Sequence, residues 1–126
     1  MTRLLLDTNA LLWSLNGSPR IDAVKDLILS DESQIFVSAV SWWEIAIKIG
    51  IGKLKADLEE LRVFSKESGF LELALSGVHA QVLTTLEPLH NDPFDRMLVS
   101  QALSEPMRLI SGDSLLAGYS SLVIVI

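Results

Sequence analysis

The 126-residue chain has no cysteine and two histidines, His79 and His90. Disulfides and thiolate chemistry are therefore excluded, and too few nitrogen and sulfur ligands remain for an ordinary zinc site. Any metal would have to be held by oxygen. No apolar run approaches the roughly 18 residues that span a bilayer, and MTRLLLDTNALLW places Asp7 and Asn9 where a signal peptide stays apolar. The expectation is a cytoplasmic protein with no membrane partner. Basic residues are scarce in the second half: residues 67–126 carry seven acids and two bases, against nine and eight in residues 1–66, within a net charge of −6. Bulk charge thus opposes nucleic acid, and any such binding needs a metal bridge, a local basic patch or a partner's charge. With 49% hydrophobic and 21% charged residues, the composition fits one globular domain over 1–126.

Short apolar runs alternate with helical patterns. Arg3-Leu4-Leu5-Leu6 reads as a buried strand that stops at Asp7-Thr8-Asn9 and feeds a helix from Ala10. After the Gly17-Ser18-Pro19 break, Ile21, Val24, Leu27 and Ile28 recur at helical spacing. Ile35-Phe36-Val37 predicts a strand, followed by a helix for which Ser38 and Ser41 are alternative N-caps and which ends at Gly50 and Gly52. Helix over 57–67, strand over 70–73, helix over 78–86 and a proline-bracketed loop over 87–93 come next. A helix from Pro93 to about Glu105, a strand at 108–110, a short helix after Asp113 and a final strand at 122–126 complete the pattern. Five strands alternating with helices predict an α/β fold with a mostly parallel sheet covered on both faces.

Ligands of such sheets collect beyond the carboxyl ends of the strands. Asp7 and Asp113 lie there, Glu44 sits in the helix after the second strand, and Asp95 is in the first turn of the helix opened by Pro93, with Asp92 three residues earlier. Carboxylates gathered without cationic partners repel, and a divalent ion is their natural neutraliser. Each acid also has a plainer explanation. Ser41-Trp42-Trp43-Glu44 matches a capping box, Asp92-Pro93-Phe94-Asp95 an N-cap with an acidic N3, and Asp7 and Asp113 can close turns or cap helices.

The segments LLLDTNALLW at 4–13, SAVSWWEIAIKIGIGKL at 38–54, HNDPFDRMLVSQAL at 90–103 and LISGDSLL at 109–116 resemble, in order, the acidic motifs of the PIN-domain ribonucleases, particularly the VapC-type toxins of bacterial toxin–antitoxin pairs. DPFDR and WEIAIK are the most distinctive. Gly112 departs from the pattern, since many relatives carry a polar or basic residue there. The resemblance implies an α/β/α sandwich and one or two Mg²⁺ or Mn²⁺ ions held by Asp7, Glu44, Asp95 and Asp113. It also implies endonucleolytic hydrolysis of RNA, a cognate antitoxin and a homodimer.

Hard oxygen ligands favour Mg²⁺ or Mn²⁺, and hydrolysis by activated water needs no protein nucleophile. Asp7 and Asp95 are assigned as principal ligands, Asp113 as a further one, and Glu44 as a ligand or water-orienting base. Thr8 and Asn9 are expected to orient Asp7, and Asp92 to cap its helix or support the ligands from outside. Lys48, Lys53, Lys55 and Arg96 are candidate phosphate contacts, although Lys48, four residues after Glu44, also suits a helical ion pair. His90 is expected to hydrogen-bond within its loop.

Mean hydropathy is +0.40. Trp42, Trp43, Ile45, Ile47, Ile49 and Ile51 cannot all face one core from one helix, so that helix is either buried on both sides or meets another chain. Two other functions fit the length. A receiver-like Mg²⁺-binding signalling domain needs an acidic pair after the first strand and a late lysine, and none follows Lys66. A dehalogenase-type phosphatase needs a second Asp where Asn9 stands. A catalytically silent interaction module remains if the acids are only caps.

Overall fold

The computed structural model describes all 126 residues, Met1–Ile126. The order is β1 (Thr2–Leu6), α1 (Thr8–Asn16), a 3-10 segment (Pro19–Val24) running into α2 (Lys25–Leu29), β2 (Ser33–Ser38), α3 (Ala39–Gly50), α4 (Leu58–Glu67) and β3 (Leu71–Leu73). Then follow α5 (Gly77–Leu83), α6 (Pro93–Ser104), β4 (Arg108–Ser111), a 3-10 turn (Ser114–Gly118) and β5 (Val123–Val125). The five strands form one sheet in the order β3-β2-β1-β4-β5, and every pairing is parallel. This is the expected α/β sandwich.

The uninterrupted leucines of β1 follow from its central place. Leu4 and Leu6 enter one core with Leu11, Val24, Ile35, Val37, Ile45 and Ile110, while Leu5 enters the other with Leu98, Val99, Ala102, Leu109 and Leu116. A strand covered on both faces has no side left for polar residues. α1 to α4 cover the first face; α6 covers the second, with α5 packed on α6.

The strand order also decides between alternatives. Receiver domains are built on the order 2-1-3-4-5, whereas this sheet runs 3-2-1-4-5, so the receiver-like reading is excluded. The order reverses between β1 and β4, which pair in register Leu6↔Ile110. A crevice opens just beyond those two residues, where crossovers on opposite faces diverge.

Three local expectations change. The segment around Ile21 and Val24 is 3-10 before it becomes α, because residues spaced by three eclipse in a 3-10 helix and bring Ile21, Val24 and Leu27 to the core together. α5 ends at Leu83 rather than Leu86. There the hydroxyls of Thr84 and Thr85 donate to Gln81 O and Val82 O at 2.7 Å each and close the helix end. Finally, α3 is not buried on both sides: Trp42 and Ile45 enter the first core, but Trp43, Ile47 and Ile51 form an exposed stripe at i, i+4 and i+8.

Candidate functional site

Each expected acid is delivered to the carboxyl end of the sheet by a different local device. Asp7 follows β1 as the N-cap of α1, its Oδ1 accepting from Ala10 N–H at 2.8 Å, and it is only 3% exposed. Asp113 follows β4 and caps the 3-10 turn, Oδ1 accepting from Leu115 N–H at 2.9 Å. Asp92 caps α6 through Oδ1, which accepts from Phe94 N–H (2.8 Å) and Asp95 N–H (3.1 Å). The plain capping explanation is therefore correct for one oxygen of Asp7, Asp92 and Asp113, and it leaves the second oxygen of each for other work.

Glu44 is not a cap. Ser38 takes the N-cap of α3, accepting from Val40 N–H at 3.0 Å, which places Ser41 and Glu44 inside the helix and rules out the capping box. Glu44 is held instead from both ends: Thr8 Oγ1 donates to its Oε1 at 2.6 Å, and Lys48 Nζ pairs with Oε2 at 2.9 Å. The Thr8 and Ser41 hydroxyls are 3.1 Å apart. Thr8 thus orients Glu44 rather than Asp7, because the first residue of α1 faces α3. Asn9 is exposed and makes no hydrogen bond to Asp7. The Ser111 hydroxyl and the Gly112 N–H, at the end of β4, are the further groups that favour the Asp7 carboxylate.

The tightest grouping is Asp95, Asp113 and His90, with one ligand atom from each lying within 4.8 Å of the others. His90 Nδ1 accepts from Asp92 N–H at 2.9 Å. Its Nε2 accordingly carries the proton and donates to Asp113 Oδ2 at 2.6 Å, with Asp95 Oδ2 at 3.7 Å. His90 is the loop hydrogen-bonding residue expected, but the loop lies inside the site. Asp7 and Glu44 stand outside this trio; four like charges spread apart, and Thr8 and Lys48 draw Glu44 aside. They remain close enough to act on Asp95. Burial first, then the charges of Asp92, Asp7 and Glu44, push its carboxyl up to about 7 against a small opposing effect of His90. Burial also raises Asp7, against its hydrogen bonds from Ala10, Ser111 and Gly112. Asp113 moves the other way, lowered by Leu115 N–H and His90.

The expected phosphate contacts fare unevenly. Lys48 is engaged by Glu44. Arg96 turns back to the loop, donating to Leu86 O at 3.4 Å. Lys53 and Lys55 are exposed beyond the end of α3, with about 9 Å of helix between Glu44 and Gly50.

The sequence family described as the PIN domain matches residues 4–120. The chain belongs to the PIN domain family. Solved structures agree on the fold. VapBC2 from Rickettsia felis bound to a DNA fragment from their promoter has TM-score 0.71 at 17% identity, covering 99% of this chain and 98% of that one. A toxin–antitoxin complex from Klebsiella pneumoniae has TM-score 0.66 at 20% identity, with 97% and 96% covered. FitAcB from Neisseria gonorrhoeae has TM-score 0.62 at 17% identity, with 96% of each chain covered. A search of curated proteins finds no match.

Sequence reasoning missed three supports of this PIN site: Ser111 on Asp7, Thr8 on Glu44 and His90 on Asp113. His90 left a trace, two residues before the Asp92 cap in HNDPFD, and Thr8 was expected as a support but of Asp7 rather than Glu44. The partners of Thr8 and Ser111 depend on which elements become neighbours.

Proposed function

We propose that this PIN domain is a metal-dependent endoribonuclease that hydrolyses RNA phosphodiester bonds and serves as the toxin of a VapC-type toxin–antitoxin pair. The observation that carries the reading is the unbalanced electrostatics at the sheet's switch point: burial, together with the charges of Asp92, Asp7 and Glu44, pushes Asp95 up to about 7. Such a set stabilises neither the fold nor a neutral ligand, but it suits a divalent cation. The donors are all hard oxygens, buried at Asp7 and Glu44 and half-buried at Asp95 and Asp113, which fits Mg²⁺ or Mn²⁺. Asp7, Glu44, Asp95 and Asp113 would hold the ion.

When bound, the ion supplies Lewis-acid activation of water and neutralises charge on the phosphoryl oxygens. The chain supplies the rest. Ala10, Ser111 and Gly112 fix Asp7, and Thr8 and Lys48 fix the two oxygens of Glu44 so that it serves as ligand or water-orienting base. Asp92 sets the first turn of α6 and so the direction of Asp95. A cognate antitoxin is supported by the likeness of fold to solved toxin–antitoxin complexes. A homodimer is supported by the exposed Trp43, Ile47 and Ile51 stripe, an apolar surface suited to another chain.

Cleavage of total cellular RNA by the purified chain with Mn²⁺ tests this. Asp7→Asn keeps the N-cap, because Asn caps as well as Asp, and should lower the cleavage rate by at least about a hundredfold. Identical products and rates from both proteins would contradict the assignment.

A further inference from the structure

The acidic crevice leaves open what holds the rest of a polyanionic substrate. Arg3 and Arg62 are paired with Glu105 and Glu72, and Lys48 with Glu44. Arg20 is exposed, makes no ion pair, and has its guanidinium carbon 4.1 Å from the ring centroid of Trp13. Trp13 in turn lies against the crevice. A Cβ built on Gly112 would run into its Cη2 and Cζ3 atoms, so the indole is seated directly on the backbone between Ser111 and Asp113. Side chains of a helix lean toward its N-terminus, which carries the ring of Trp13 up from α1 to the level of the strand ends. One indole therefore links Arg20 to the wall of the crevice, and the close approach explains the glycine at 112, the one position of that motif that departs from the family pattern.

We propose that Arg20, positioned by Trp13, binds a backbone phosphate of single-stranded RNA flanking the scissile bond on the Asp113 side. The inference rests on the nuclease reading. Stacking occupies the π-face of a guanidinium and leaves its in-plane N–H edges free, and those edges are what bind a phosphate in a bidentate manner. The stack also holds a long side chain in place before substrate arrives, lowering the ordering cost of the contact. The next 3-10 residues, Ile21 and Val24, are buried and anchor the segment.

The test is anisotropy binding of a fluorescein-labelled oligouridylate with Mn²⁺, in an Asp7→Asn background so that turnover does not consume the probe. Arg20→Gln should weaken binding about tenfold and reduce the slope of log K against log salt by about 0.7, the share of one phosphate contact on a single strand. Arg20→Lys should retain the slope with an intermediate affinity, and Trp13→Phe should also retain the slope while weakening binding. Affinity within twofold and an unchanged slope in Arg20→Gln would overturn the proposal, as would a probe that binds neither protein at saturating Mn²⁺. Because Arg20 is exposed, its substitution does not threaten folding. The nuclease reading is judged separately, by cleavage in chains with native Asp7: if it fails there while the Arg20 slope change stands, the phosphate contact survives without the chemistry.

Discussion

Two acid–histidine pairs in this molecule meet at the same 2.6 Å and do different work. His79 Nε2 bonds Glu105 between α5 and the end of α6; His90 Nε2 bonds Asp113 just beyond β4. Around Glu105 every group has a partner. Arg3 pairs with its other oxygen at 3.4 Å, and His79 Nδ1 accepts from Ser76 N–H at 3.0 Å. Ser100 donates to the His79 carbonyl. Gln101 reaches Ala74 O and receives the Ser38 hydroxyl at 2.5 Å. The hydrogen bond from His79 is the main reason the Glu105 carboxyl sits below its ordinary range, with Arg3 adding to it. Around Asp113 that balance is lost: burial, with the charges of Asp92, Asp7 and Glu44, raises Asp95, and burial raises Asp7. Balanced charge ties α5 and α6 to the sheet; unbalanced charge sits where a ligand is needed. The difference separates a histidine that holds the fold from one that belongs to a site, although neither differs from the other in residue type or distance.

Substitutions in the two clusters should therefore split activity from stability. Asp95→Asn should abolish Mn²⁺-dependent cleavage while raising the metal-free stability at pH 8, since it removes a crowded carboxylate and keeps the side-chain shape. His79→Ala should cost about 2–4 kcal/mol, because it strips partners from Glu105, Ser76 and Gln101 at a site 2% exposed. Its cleavage per folded molecule should be unchanged. Urea denaturation and single-turnover cleavage on both variants measure the split; a stable, inactive His79→Ala would break it.

A smaller effect separates the two clusters by pH. Folded Asp95 titrates near 7 against 3.8 for the free group. Between those values the native chain holds a proton that the unfolded chain has released, so the metal-free protein loses stability as pH rises through that window. Asp7, raised in the same direction, adds to the loss. Glu105 has the opposite sign: its lowered pKa contributes stability above its unfolded value and withdraws it as pH falls. Melting temperatures in EDTA at pH 5 and pH 7.5 should show a decline for the native chain and a flatter profile for Asp95→Asn. Parallel profiles would mean that Asp95 carries no excess repulsion.

Much of this arrangement was legible from local pattern. Leu4-Leu5-Leu6 ending at Asp7 announces a doubly covered strand, and Pro93 after Asp92 announces a capped helix, because both signals are complete within a few residues. What was not legible depends on neighbours brought together late. Ser38 and Ser41 both fit as caps; the bond from Val40 N–H to Ser38 starts α3 at Ala39, and the approach of Thr8 gives Ser41 and Glu44 a buried partner instead. Ser111 serves Asp7 because β4 pairs with β1, a crossover from the other face of the sheet that no local spacing encodes. Lys48 was legible as an ion pair through its i,i+4 spacing, and that same pairing removes it from the free cations. Arg20 carried no motif, since its place is set by an indole seven residues earlier and a glycine far along the chain.

The central claim is that the carboxyl-end acids form one cation site. Isothermal titration of Mn²⁺ into the metal-free chain near pH 7, in two buffers of different ionisation enthalpy, tests it most directly. The account predicts saturable binding with net proton release, because a cation would displace the proton held at Asp95, and an affinity reduced by at least about tenfold in both Asp7→Asn and Asp95→Asn. Equal affinity in the native chain and both variants, or heats independent of buffer, would contradict it.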